Sequence, residues 1–308
     1  MSEEDLPMDT SSDLFHFNEG ALAYAGVYHH DHTSPLHSHS FVEIAFVTAG
    51  SATHQSLVGP ADLGLGDVVV MRPGAWHGYD YCQDLVVYNC CFSADLLRRE
   101  LAWTREDPLL GYLLWTGPYE SKAGGVLTAH LDQETLEVCK AHLDALASAW
   151  HLPLAYYQGD IVGRLALLFS LLGRAVAEAR ALLVAPAGPT HPAIGQALRI
   201  LEGSLDNPWT LTDLAFQLHL APGYLVRLFK SSTGQPPMAY LARMRAEHAA
   251  TLLLHTDEPV SHIGRAVGWP DQNYFARRFK AHYGLSPTTY RSRFGPGANG
   301  RRFTLGRH

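Results

Sequence analysis

Four residues in the first third of the chain, His37, His39, Glu43 and His77, carry side chains that bind divalent metal ions or the hydroxyls of a polar ligand. On an extended strand His37, His39 and Glu43 share odd parity and project from one face. His77 follows a glycine-rich turn. Imidazole and carboxylate groups suit Fe, Mn, Ni, Cu or Zn. The same groups could instead hold a sugar, with Arg72, Trp76, Tyr79 and Tyr88 supplying planar donors, acceptors and an aromatic platform. Histidines that only support the fold are the third reading, and the residues leave all three open. A divalent metal is thus a candidate, and no cofactor is demanded. His29, His30, His32 and His54 lie close in sequence without an argument for any one of them.

A second set occupies an internal repeat. Leu214, Ala215 and Leu218 return as Ile263, Gly264 and Val267. After a one-residue insertion, Tyr224, Leu225, Arg227, Phe229, Lys230, Gly234, Pro237 and Tyr240 return as Tyr274, Phe275, Arg277, Phe279, Lys280, Gly284, Pro287 and Tyr290. Each copy reads as a short apolar helix, a break, and a second helix mixing core aromatics with Arg and Lys. That is a helix-turn-helix pattern, whose second helix enters the DNA major groove. In the first copy Gly223, Val226, Arg227 and Lys230 fall away from the apolar face. In the second, Asp271, Gln272 and Asn273 open the helix, with Arg277 and Lys280 further along. Arg can hold guanine bidentately, Gln and Asn read adenine, and Lys more often pairs with phosphate.

These groups need elements to position them. Thr210 or Thr212 can cap the first repeat's leading helix, Leu225, Leu228 and Phe229 form the inner face of its reader, and Gly234 stands where a helix ends. Met238 to His255 reads as a continuous connecting helix, with Leu241, Met244, His248 and Leu252 on one side. A rigid connector would hold the two readers about one DNA turn (~34 Å) apart. Upstream, residues 1–20 read as a flexible N-terminal arm and 21–130 as β structure. Leu22–Tyr28, Phe41–Val47, Asp67–Met71 and Leu85–Phe92 are short, rich in β-branched or aromatic residues, and separated by turn signals such as Pro73-Gly74. Such spacing predicts a barrel or sandwich. Leu131–Trp150 and Tyr156–Val184 predict two helices, making 131–184 a support or dimerisation segment. The stripe Ile161, Leu165, Leu168, Leu172 and Val176 fits packing on its own domain and a dimer seam equally well. Pro186, Gly188, Pro189 and Pro192 mark 185–192 as a linker. Residues 193–294 are the all-α part, and 295–308 read as a disordered basic tail. The expected class is α+β, multidomain.

The net charge of −7 hides a division. Residues 1–190 hold 9 Lys+Arg against 23 Asp+Glu, whereas residues 191–308 hold 14 against 7. An acidic half joined to a basic half fits a sensor tied to a module that meets phosphates. The acidic Met1–Asp13 stretch has no signal-peptide pattern, and Arg174, Glu178 and Arg180 interrupt the longest apolar run. Four cysteines without CxxC spacing read as reduced, mostly buried residues of a cytoplasmic protein.

From about Trp209 to Arg293 the chain resembles the AraC/XylS family of bacterial transcription regulators. The resemblance rests on Tyr224-Leu225-x-Arg227-x-Phe229-Lys230-x3-Gly234 and Arg245-x3-Ala249-x2-Leu252-Leu253. It continues through Ile263-x3-Val267-Gly268-Trp269-x4-Tyr274-Phe275-x2-Arg278-Phe279-Lys280 and Gly284-x2-Pro287-x2-Tyr290-Arg291. Gly264 and Trp269 depart from the family's common Ala and Phe. Carried over by position, the resemblance implies base contacts from Gly223, Val226 and Arg227, then from Gln272, Asn273, Ala276 and Arg277. The first half, with His37-x-His39-x3-Glu43-x6-Gly50 and Gly66-x6-Pro73-Gly74-x2-His77, resembles the two cupin motifs and the sugar-responsive, rhamnose-regulator type of family member. The resemblance implies a cupin-like β-barrel with two following helices and an all-α double helix-turn-helix. It also implies a small-molecule effector such as a sugar, double-stranded DNA as partner, a homodimer, and RNA polymerase contact if the protein activates. It implies no enzyme. The rival readings are a metal-dependent cupin enzyme or metal sensor fused to a DNA-binding domain, and a barrel that serves only as an interaction module.

Overall fold

The computed structural model describes residues 23–119, 125–149, 154–179 and 192–296. The expected arm, nearly all of the linker and most of the tail lie outside these residues. Strands β1 (Ala23–His30), β2 (Ser34–Ser38), β3 (Val42–Ser56), β4 (Ala61–Gly64), β5 (Asp67–Met71), β6 (Trp76–Phe92) and β7 (Val126–His130) form one antiparallel sheet. Its central path runs β1-β6-β3-β5-β7, with β2 on β6 and β4 on β3. β3 and β6 are long and pair along nearly their whole length, so each serves both halves of the sheet. Among the described residues β1, β2, β4 and β7 each pair on one side only.

Alternation divides the strand side chains between two cores. Ile44, Phe46, Tyr88, Cys90 and Phe92 face the helices, whereas Ala45, Val47, Tyr79, Leu85 and Val87 face inward. The register of β3 against β6 shifts between Val47 and Thr53. A bulge adds a residue to one strand and reverses which parity faces in. Glu43, Ala45 and Val47 are therefore inward on odd numbers, while Ala52, His54 and Ser56 are buried on even ones.

Between β6 and β7 come α1 (Ala94–Arg98) and a run of short helical turns that includes α2 (Pro108–Leu110), and after β7 come the long helices α3 (Gln133–Ala149) and α4 (Leu154–Ala179). Ile161, Leu165, Leu168, Leu172 and Val176 of α4 are all buried in the core shared with the sheet. That stripe packs within the chain, so it gives no support to a dimer seam. No helix among the described residues is long and apolar enough to cross a membrane.

The C-terminal part contains α5 (Pro192–Gly203), α6 (Leu211–Gln217), α7 (Pro222–Thr233), α8 (Pro237–His255), α9 (Val260–Ala266), α10 (Gln272–Tyr283) and α11 (Pro287–Phe294). Thr210 caps α6 in a reciprocal capping box with Asp213. α8 is buried almost all round: Tyr240, Leu241 and Met244 join the first helix-turn-helix core, and Ala242, Ala246, Ala249, Ala250, Leu253 and Leu254 join the second. His248 is exposed, so the apolar side expected from Leu241, Met244, His248 and Leu252 is not the one observed. Small alanines let both subdomains approach the connector closely. Arg245 donates from Nε to Leu205 O at 2.7 Å and from Nη2 to Asn207 O at 2.6 Å, fastening the α5–α6 turn to α8.

Gly264 marks a close helix crossing. A Cβ there would stand 2.8 Å from Phe275 Cδ1 and 3.0 Å from Trp269 O. Gly264→Val is expected to destabilise the second helix-turn-helix by about 1–3 kcal/mol through overpacking. Thermal unfolding of the full chain checks this; an unchanged midpoint would mean that α9 and α10 can separate freely.

Candidate effector pocket and nucleic-acid interface

The two reader helices are α7 and α10, and their burial agrees position by position. In α7, Leu225 and Phe229 are buried, Val226 and Leu228 are half-buried, and Gly223, Arg227 and Lys230 are exposed. In α10, Phe275 and Phe279 are buried, Ala276 and Arg278 are half-buried, and Gln272, Asn273, Arg277 and Lys280 are exposed. Both helices end on glycines in the left-handed region, Gly234 at φ 75° and Gly284 at φ 72°. Tyr224 and Tyr274 stand exposed at equivalent places, and the Arg277 guanidinium lies 5.9 Å from the Tyr274 ring. The carboxylate of Asp271 accepts the Tyr274 backbone N–H at 2.6 Å, so this residue is the N-cap of α10. α7 starts at Pro222 without a side-chain cap.

In the sensor half the structure gathers His39, Glu43 and His77 in a buried cluster whose ligating atoms lie within 4.8 Å of one another. Glu43 stands on β3 beside Met71 and Cys91, and His77 on β6 pairs across to His37 of β2. β2 ends at Ser38, so His39 lies in the turn before β3, not on the strand that its parity assumed. It still reaches Glu43, with Nε2 3.0 Å from Oε2. The His37 and His77 rings are 4.2 Å apart between centroids, and His39 and His77 are 5.2 Å apart. His54 is the residue that sequence reasoning left out: the bulge turns it inward, 5.8 Å from His77 and 5.5 Å from Tyr79 between ring centroids.

Burial dominates the electrostatics here. It holds the His77 imidazole well below its ordinary pKa, helped by the charges of His37, His39, His54 and His30. Burial likewise lowers His54 to about 4, against the pull of Glu43. For Glu43 burial acts upward, but contact with His39 and the positive potential of His37 and His54 leave the carboxyl below its usual value. Two neutral imidazoles beside a carboxylate each offer one N–H and one lone pair, so the set can both donate and accept.

Three other residues expected in this pocket are engaged elsewhere. Tyr88 lies on the opposite face of β6, in the helix-facing core, where its hydroxyl donates to Asp144 Oδ1 at 2.9 Å. Arg72 and Trp76 turn toward the DNA-reading half: Arg72 Nη2 donates to His282 O at 2.8 Å, and Trp76 Nε1 donates to Tyr283 O at 3.0 Å. Alternation puts Tyr88 on the wrong side, and the docked domain takes the polar atoms of the other two.

That docking forms a seam invisible in the sequence. Tyr283 donates to Pro73 O at 3.2 Å, Tyr290 donates to Gly74 O at 3.1 Å, and Tyr290 shares a 2.6 Å hydrogen bond with Ser38. Gly74 N–H in turn donates to His39 O at 2.7 Å. At the first reader, Arg105 Nη2 meets Glu202 Oε1 at 2.6 Å, and the Tyr240 hydroxyl donates to the same carboxylate. The C-terminal ends of both readers touch the sensor. A Cβ on Gly234 would come 2.6 Å from Thr116 Cγ2, and one on Gly284 would come 2.5 Å from Leu57 Cδ1.

Two exposed reader helices on one buried connector, seated against a sheet with a buried polar pocket, define a helix-turn-helix transcription regulator with a ligand-binding sensor. The comparisons agree. Residues 19–133 match the AraC-like ligand binding domain, and residues 214–293 match a helix-turn-helix domain. The HTH-type transcriptional activator RhaR of Klebsiella pneumoniae is 28% identical over 258 residues, 83% of this chain and 87% of that protein. The C-terminal domain of the two-component response regulator yesN from Fusobacterium nucleatum is 37% identical, covering 33% of this chain and 99% of that one at a TM-score of 0.32. ToxT from Vibrio cholerae shares the fold at 12% identity, covering 88% of this chain and 98% of that one at a TM-score of 0.51. The chain thus joins an AraC-like ligand binding domain to a helix-turn-helix domain and is homologous to the RhaR transcriptional activators, which are DNA-binding regulators rather than enzymes.

Proposed function

We propose that this protein is a ligand-responsive activator of sugar-utilisation genes that works in the cytoplasm as a homodimer and meets RNA polymerase at its promoters. The single observation that carries the reading is the placement of the readers: Gly223, Arg227, Gln272, Asn273 and Arg277 are exposed, Val226 and Ala276 are half-buried beside them, and the C-terminal ends of both helices rest on the sensor. Gly223, Val226, Arg227, Gln272, Asn273, Ala276 and Arg277 face bases, while Lys230 and Lys280 face phosphates. Gly223 and Val226 offer few hydrogen bonds, so the first reader depends on Arg227 and DNA shape. The relatives named RhaR are described as transcriptional activators, which supports activation, and a polar pocket of imidazoles and a carboxylate supports a hydroxyl-rich effector.

An effector shifts activity only if it binds one arrangement of sensor and readers more tightly than another. His39 and Ser38 sit at the pocket rim and connect within one residue to Gly74 and Tyr290. That seam is the physical route for the coupling; the arm and linker are the alternative routes.

Selection of duplexes from a random library, followed by affinity measurements against salt, tests the DNA reading. With about six phosphates neutralised, affinity is expected to fall about 10³-fold between 50 and 200 mM salt. Salt-independent binding, or no preference over random duplex, would reject it. A thermal-shift screen of monosaccharides tests the effector, since a specific ligand at about 100 times its Kd adds about 2.7 kcal/mol.

A further inference from the structure

The first helix-turn-helix carries an aromatic face that its fold does not use. Phe216 on α6 is 80% exposed. It stands in a groove of about 350 Å³ whose other walls are Asn207, Pro208, Trp209, Asp213 and Gln217. The Trp209 indole is fixed in place, because its Nε1 donates to Ser204 O at 3.0 Å. The internal repeat shows what the fold itself requires here. The second copy has Arg265 at the place of Phe216 and Glu258 at the place of Trp209, both exposed. Charged side chains suffice for packing at these positions, so the two rings of the first copy serve a contact that the second copy lacks.

Charge narrows the choice of occupant. Asp213 lines the groove, and Asp206, next to Asn207, is exposed. Such a face repels DNA phosphates and favours an apolar side chain flanked by cations. Of the segments outside the described residues, only 297–308 join an aromatic ring to arginines, in Arg301-Arg302-Phe303-Thr304-Leu305. Residues 1–22 hold six carboxylates and no Lys or Arg, the wrong sign for this face. Reach agrees with charge. The chain leaves α11 beside α8, where a Cβ on Gly295 would lie 3.0 Å from Leu253 O. Asn207 is held to the same helix by Arg245, whose Nη2 donates to its carbonyl at 2.6 Å. Arg245 and Leu253 lie about 12 Å apart along α8. The extended chain from Gly295 to Phe303 spans up to about 26 Å, enough to arrive at the groove.

We propose that this groove is the docking site of the chain's own Arg301–Leu305 segment, with Phe303 against Phe216 and Trp209 and the two arginines toward Asp206 and Asp213. The segment then straps the second helix-turn-helix, from which it emerges, to the first. It adds a second tie between the subdomains that carry the readers, alongside α8, and so limits how far their spacing can vary.

The test compares hydrogen exchange in the full-length parent, in Phe303→Ala and in the double variant Arg301→Glu/Arg302→Glu, read by mass spectrometry. Amides of α6 are expected to exchange at least about fivefold faster in both variants than in the parent, with the sensor strands unchanged. Equal rates in all three chains overturn the proposal and leave the groove to a different protein. Photo-cross-linking then identifies the occupant, with p-benzoylphenylalanine in place of Phe303. A cross-link within one chain to residues 207–217 supports the strap. A link between two chains, a link to another segment, or none at all rejects it. Phe216→Ser, at a position that the fold leaves exposed, should abolish the cross-link while melting as the parent does. A cross-link that survives this substitution places Phe303 elsewhere and also rejects the strap.

Discussion

Replacing Arg277 with Ala is expected to weaken binding to the selected duplex about 5- to 150-fold, with little change in affinity for random sequence. A bidentate arginine–guanine pair contributes about 1–3 kcal/mol of discrimination. Arg277 is exposed on α10, one turn beyond Gln272 and Asn273, and its neighbours Phe275 and Phe279 are fully packed, so the helix survives the truncation. Arg227→Ala on α7 should behave alike, because it occupies the equivalent place with the same exposure. The readers sit on separate subdomains, so the two losses should add in the double variant. Lys230→Ala and Lys280→Ala should instead weaken binding to all sequences equally and reduce the salt slope by about one each. Anisotropy titrations against selected and scrambled duplexes separate these outcomes. An Arg277→Ala chain that lost both affinities in parallel would make Arg277 a phosphate contact, not a reader.

The double variant Tyr290→Phe/Trp76→Phe is expected to uncouple the sensor from the second reader while leaving both folded. Both substitutions keep an aromatic ring and remove the groups that bridge the halves: the Tyr290 hydroxyl to Ser38 and Gly74, and the Trp76 N–H to Tyr283, with part of the indole's packing on the second core lost as well. Three hydrogen bonds at about 0.5–1.5 kcal/mol each come to about 1.5–4.5 kcal/mol, comparable to a coupling free energy that changes affinity 5- to 150-fold. The ratio of DNA affinities with and without effector should therefore shrink about tenfold or more in this variant. Melting should remain cooperative, since the Tyr290 ring still packs on Phe279 and Phe294. An unaltered effector response would move the coupling to the arm or the linker. Arg105→Ala, which breaks the Arg105–Glu202 pair beside the first helix-turn-helix and leaves Glu202 bonded to Tyr240, provides the corresponding measurement at the other end of the seam.

Much of the C-terminal half was legible because its constraints are local. A helix-turn-helix needs apolar residues three and four apart, a small residue at the crossing, and a glycine at the helix end. Leu225, Phe229 and Gly234, and then Phe275, Phe279 and Gly284, satisfy these needs within a dozen residues, and the structure gives each pair the same burial. The metal-type cluster was legible in part: His39, Glu43 and His77 converge. The parity argument behind it held for a straight strand, and β3 is not straight. Its bulge brings His54 inward, and strand alternation sends Tyr88 to the other core. A one-residue register shift leaves no mark in local composition.

What the chain alone determined, then, was its two kinds of chemistry, bases read by paired helices and a polar pocket of imidazoles, because side-chain type and short-range periodicity are written directly in residue order. The tertiary structure decided which polar atoms remain available in that pocket and what the pocket touches. Ser38 and Tyr290 are 252 positions apart, and Arg72 and His282 are 210 apart. Pairing across such distances depends on how separate cores seat against each other, and no local pattern encodes that.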